Sequence, residues 1–153
     1  MAEALQSEWI MDVKADVAPP IEIEDGPMGT RRIIPIGGGS FEGPKLKGRV
    51  VPGGADYQFI RKDDVVILEA KYLLETDDGV TIAVTNRGMR HAAPEVLRRL
   101  SAGEIVAPEE YYFRAAPEFE APQGRYEWLN KSLFMSVGER YAAGVVIHIH
   151  RIL

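Results

Sequence analysis

Two carboxylates stand inside runs that read as strands: Glu69 in Leu68-Glu69-Ala70-Lys71-Tyr72 and Asp56 in Asp56-Tyr57-Gln58-Phe59-Ile60. A carboxyl group among apolar neighbours has its pKa raised and becomes a usable acid or base near neutrality. Such a group, with an oxyanion partner, suffices for isomerisation, dehydration, conjugate addition or ring closure on a small aromatic or carbonyl-bearing molecule. Glu69 and Asp56 are therefore the candidate acid and base. Arg61 and Arg114 are candidates to hold an anionic group or a developing oxyanion, and Tyr72 and Asn130 to orient it. Tyr126 and Trp128 would form the wall of the site. For Glu69 a second reading stays open, an outward carboxylate paired with Lys71 on the same strand face. The mixed face Tyr126, Trp128, Asn130, Ser132 and Phe134 reads either as a ligand-lined interior or as an outer face covered by another subunit.

Other chemistries find less support. With no cysteine, disulfides, thiolate nucleophiles and Cys-based zinc sites are excluded together. His148 and His150 form a His-x-His pair, but no third ligand is evident, so no metal and no cofactor is expected. No Gly-x-Ser-x-Gly motif appears. The run Gly37-Gly38-Gly39-Ser40 lacks the Gly-Lys-Ser/Thr and the following helix of a phosphate loop and reads better as a barrel corner.

The elements that must carry these residues are short strands. Fifteen glycines and ten prolines punctuate 153 residues, which suits strands joined by turns. Expected strands run over 5–13, 21–24, 30–36, 46–51, 56–61, 65–74, 80–86, 110–115, 126–137 and 144–152. The turn Asp77-Asp78-Gly79 joins the clearest hairpin, and Pro52-Gly53-Gly54 reads as another turn. In the first strand Trp9, Met11 and Val13 share a face. One short helix is expected over 94–100, with Pro94 in its first turn and Gly103 past its end. Eight to ten strands in one domain, residues 1–153, favour a closed antiparallel barrel, because closure removes exposed edges.

The net charge is −5, from 18 basic and 23 acidic side chains, without the positive footprint that nucleic-acid binding needs. The doublets Arg31-Arg32 and Arg98-Arg99 read as solvated faces. No apolar run approaches the roughly 20 residues that span a bilayer, and the first residues lack a signal-peptide pattern, so a cytoplasmic location without membrane contact is expected.

An ordered set of motifs carries a family resemblance. Residues 35–61, from Pro35-Ile36-Gly37-Gly38-Gly39 to Gln58-Phe59-Ile60-Arg61, are followed by Leu68-Glu69-Ala70-Lys71-Tyr72, Thr76-Asp77-Asp78-Gly79, Asn86-Arg87-Gly88, Tyr112-Phe113-Arg114 and Tyr126-Glu127-Trp128-Leu129-Asn130. This series resembles the domain of unknown function 3237 family from about Trp9 onward. The resemblance implies an all-β, lipocalin-like (calycin-like) closed antiparallel barrel with one short helix, often in a homodimer or higher homo-oligomer. It adds Asn86 to the binding candidates. The chain departs from the family pattern at Glu69-Ala70-Lys71-Tyr72, where Asp-Ala-Arg-Tyr is usual, and at Tyr57, where Trp is common. The expected function is a cofactor-independent lyase or isomerase acting inside the barrel. The alternatives are a binding protein for a small hydrophobic ligand and an oligomer-forming module.

Overall fold

In the computed structural model, which describes residues 3–153, the alternation of side chains along each strand builds the fold. In β5 (Val66–Thr76), Val66, Leu68, Tyr72 and Leu74 are buried while Lys71 and Leu73 are exposed. That period of two is what puts one face of a pleated strand inward. The other strands are β1 (Ser7–Val17), β2 (Ile21–Gly26), β3 (Gly29–Glu42), β4 (Lys47–Ile60), β6 (Thr81–Ala92), β7 (Tyr111–Glu120), β8 (Phe134–Tyr141) and β9 (Gly144–Ile152). They hydrogen-bond in the order β1-β9-β8-β7-β6-β5-β4-β3, and β3 returns to β1. Eight strands thus form a closed, antiparallel barrel, and β2 lies against β3 outside the ring. One helix, α1 (Pro94–Ser101), begins on its proline and ends before Gly103, whose φ is +79°. It lies near one mouth of the barrel, where Leu97 and Leu100 share a hollow with Ile60 and Val66.

Closure depends on the glycine run. At Gly39, with φ +139°, an added Cβ would lie 2.0 Å from the Lys14 carbonyl oxygen of β1. Only glycine lets the two strands approach this closely. Ladder irregularities fall between Pro35 and Gly39 against β4, and between Asp16 and Val17 against β1. The run is thus an irregularity within the continuous β3, pressed against β1.

Three expectations need correcting. Residues 46–51 and 56–61 are not two strands around a turn. They belong to the single 14-residue β4, which bulges between Val51 and Ala55. Gly54 sits there with its Cβ position 2.5 Å from the Lys71 carbonyl oxygen, so β4 presses on β5 and runs on without turning back. In β1, Ile10 is an extra residue in the ladder to β9. Ile10 and Met11 are therefore both buried, and Trp9 is turned outward. Residues 126–137 are not one strand either. Glu127–Lys131 is a 3₁₀ turn, and β8 begins only at Phe134. Asn130 causes this: its Oδ1 accepts from the Ala121 amide and its Nδ2 donates to the Ala121 carbonyl, both at 2.8 Å. That clamp folds the segment back toward the end of β7 and buries Leu129.

Candidate functional site

The barrel interior is packed unevenly. Phe119 and Phe134 meet edge to face at 5.0 Å, with Trp128 beside Phe134. Elsewhere the interior encloses a cavity of about 60 Å³ walled by Val13, Ile36, Leu68, Phe113, Val145 and Ile147 among others. Its polar lining is Asp56, Gln58, Tyr72, Asn86, Arg90, Arg140 and Tyr141. A second hollow of about 160 Å³, beside α1, shares Arg90 and Arg140 with it and adds Arg32.

Asp56 and Gln58 point inward together because they are two apart on β4. The Asp56 carboxylate accepts from Gln58 Nε2 at 2.8 Å and from the Glu69 backbone N–H at 3.2 Å. Burial raises its pKa above the ordinary carboxylate value. The Gln58 hydrogen bond, Arg90, the Glu69 amide and Arg32 act in the opposite direction without cancelling it. Gln58, 2 % exposed, accepts in turn from Arg32 Nε and Nη2 at 3.2 and 2.7 Å. The Tyr72 phenol is held firmly protonated, first by burial and then by the nearby Asp56 charge. Arg90, 4 % exposed, has an Nε with no partner. Burial, then repulsion from Arg140 and Arg32, brings its pKa down to about 9, still cationic at neutral pH. Asn86, 7 % exposed, carries an Oδ1 that is also without a partner.

Of the residues singled out from sequence, Asp56, Tyr72 and Asn86 meet in this cavity. The others stand apart from it. Glu69 turns outward, 3.7 Å from Lys71 Nζ and 3.5 Å from Arg87 Nη2, so of its two readings the outward one describes its placement. Arg61 lies in the β4–β5 turn and is paired there with Asp63. Arg114 lies over the Tyr112 ring at 5.3 Å and donates to the Phe113 carbonyl. Tyr126 donates to Asp78 Oδ1 at 2.7 Å at the β5–β6 turn. Trp128 packs near Lys45 and Phe134, and Asn130 is the backbone clamp. The expected aromatic wall thus closes the end of the barrel where the β5–β6 turn lies. His148 has both ring nitrogens engaged, Nδ1 with Asp12 at 2.7 Å and Nε2 with Glu139 at 2.5 Å.

Gln58, Arg90, Arg140 and Tyr141 of the inner lining, and Arg32 of the α1 hollow, escaped the sequence reading. The signal was strand parity. Gln58 is two from Asp56, Arg90 is four from Asn86, and Arg32 shares parity with Ile34 and Ile36. The doublet Arg31-Arg32 is therefore split: Arg31 is exposed over Phe59 and Arg32 turns inward.

The family model described as a protein of unknown function (DUF3237) matches residues 5–152. A UPF0311 protein of Rhodopseudomonas palustris is 40 % identical over 153 residues, covering both chains in full. The crystal structure of a conserved protein of unknown function from that organism superposes with a TM-score of 0.94 at 40 % identity, again over the whole of both chains. A beta-barrel like protein from Acinetobacter baumannii gives 0.85 at 36 % identity, covering 100 % of this chain and 99 % of the other. An enzyme from Penicillium herquei shares the fold, with a TM-score of 0.75 at 18 % identity over 100 % of this chain and 98 % of that one. The chain belongs to the DUF3237 family of barrel proteins.

Proposed function

We propose that the barrel is a cofactor-independent enzyme that moves a proton on a small carbonyl-bearing or aromatic molecule, with Asp56 as the acid–base group. The reading rests on one observation: Asp56, whose pKa burial raises, lines the same interior cavity as Tyr72 and Arg90. An ionised Asp56 removes a proton from carbon next to a carbonyl, and the electron pair moves onto the carbonyl oxygen. The protonated Tyr72 phenol and cationic Arg90 face the oxyanion so formed, where a fixed donor in a water-poor site is worth most. The unpartnered Asn86 Oδ1 accepts from a substrate hydroxyl. Asp56 then returns the proton elsewhere on the molecule or to a leaving hydroxyl. The P. herquei protein, described as an enzyme, has this architecture, so a barrel of this shape accommodates catalysis.

Solvent-deuterium incorporation into a panel of carbonyl compounds, followed by NMR, tests the proposal. Asp56→Asn keeps the shape and removes the proton carrier, and the exchange rate should fall about 10²–10⁴-fold. Exchange that is unchanged in Asp56→Asn overturns the assignment. A panel in which nothing exchanges faster than in buffer, while ligands still bind, identifies a binding protein instead.

A further inference from the structure

We infer that the molecule this barrel takes in carries a carboxylate, seated where the two interior hollows meet and held by Arg32, Arg90 and Arg140. The inference rests on the reading of the cavity as the working site and names the substrate class for it.

Charge balance carries the argument. Three guanidinium groups gather around one half-buried carboxylate, Asp56; the other acids in reach, Glu22 beside Arg32 and Asp64 on the rim of the α1 hollow, are exposed. Arg32 spends its contacts on a neutral amide, Gln58. Among the described residues no side-chain hydrogen bond to an acid supports Arg90 or Arg140; Arg140 and Arg32 repel Arg90, Arg32 repels Arg140, and Asp56 and Tyr111 attract each more weakly. Arg90 Nε is buried without any partner. A buried cation without a counter-ion is costly, and so is an unpartnered N–H. The Phe113 ring, 5.6 Å from the Arg90 guanidinium, offsets part of this, but it accepts no in-plane hydrogen bond. An anion supplied from outside would complete the set.

Position narrows the chemistry. Arg90 and Arg140 border both hollows. An anionic group between them therefore has the apolar inner cavity, with Asp56 and Tyr72, on one side and the α1 mouth on the other. The fork of a guanidinium matches the two oxygens of a carboxylate. The inner cavity, about 60 Å³ and lined mainly by aliphatic side chains, suits a compact apolar body. The ligand class is thus a small organic acid with a short aliphatic body, entering body first, since a ring needs a cavity of about 150 Å³.

Thermal melts and calorimetric titrations in low-chloride buffer test this, using propionate, butyrate and isobutyrate against their uncharged amides. The acids should bind and the amides should not. Arg90→Gln should weaken the best acid by roughly 10- to 100-fold, the range for one hydrogen bond to a charged group. Arg140→Gln should act in the same direction, so the test survives if one variant fails to fold. Arg87→Gln, on the outer face beside Glu69, should change nothing. Asp56→Asn should bind the acids as well or better, since it removes a like charge. Amides that bind as tightly as acids overturn the inference, as does an acid whose affinity ignores both arginine variants, or a barrel that binds no acid. Failure here is distinct from failure of the catalytic reading. Acids bound through the arginines with turnover indifferent to Asp56→Asn removes only the catalysis, whereas exchange on neutral carbonyl compounds with no acid bound removes only the carboxylate.

Discussion

Asp56 is held by the backbone amide of Glu69, yet the two carboxyl groups lie on opposite sides of the barrel wall. That separation sets opposite expectations for them. Because the folded protein raises the Asp56 pKa, the native state binds a proton that the unfolded chain has released. Stability should therefore fall as pH rises from the unfolded carboxylate value to the raised one, and the full penalty is present above it. Asp56→Asn removes the ionisation. The variant should be more stable than the parent at pH 7 and should lose that part of the pH slope, as denaturant titrations between pH 4 and 8 will show. Glu69→Gln should leave stability within about 0.5 kcal/mol at any of these pH values, because an exposed ion pair contributes little. An Asp56→Asn melt below the parent at pH 7 would contradict the first expectation, and a larger Glu69→Gln loss the second. From the sequence these two carboxylates looked alike, each flanked by apolar residues. What separates them is the direction of one strand face, which neighbouring residue types did not reveal because both faces of β5 are largely apolar.

At the scale of elements, the strands that alternate cleanly were legible. β9 has its expected bounds, and the β5–β6 hairpin and the proline-started helix are where the turn residues put them. Strands that bulge were not, since Pro52-Gly53-Gly54 carries the same residues whether the chain turns back or presses onto β5. The long-range contact that requires a glycine lies outside any local window. Two substitutions separate the roles of these glycines. Gly39→Ala would force a Cβ onto the Lys14 carbonyl and should cost on the order of 3 kcal/mol or more by chemical denaturation. Gly53→Ala, at φ +116° with nothing within 4 Å, should cost only the backbone preference, about 1 kcal/mol. A second link joins β1, β8 and β9 through Asp12, Glu139 and His148. Burial tends to lower the His148 pKa, but hydrogen bonds to Glu139 and Asp12 outweigh it and raise the value, while Glu139 is lowered chiefly by His148. The histidine contribution is full below its ordinary 6.5 and is lost as pH rises through the raised value. The Glu139 contribution is present above its ordinary 4.5 and is lost as pH falls through the lowered value. Thermal melts from pH 5 to 9 should show an alkaline decline that His148→Gln flattens. An identical decline in both proteins would refute it.

For the whole molecule, the charged interior and the closed ring must be formed together, since the three arginines come from β3, β6 and β8. No short fragment of the chain contains the site. This explains why the sequence revealed a barrel more readily than its contents: closure follows from strand number and turn spacing, whereas the site is assembled across the ring. The seam has a consequence for synthesis. β1 is zipped on one side to β3 and on the other to β9, so the first strand to leave the ribosome waits for the last strand before its second edge is covered. Until residues 144–152 emerge, β1 and β8 each keep an open edge, the kind that invites mispairing. A nascent chain stalled with β9 still in the exit tunnel should be cleaved rapidly by protease, and release of that strand should bring resistance in one step. Early resistance, before β9 emerges, would mean that a partial sheet is stable by itself. The ring therefore closes only once β9 is free to pair with both β1 and β8.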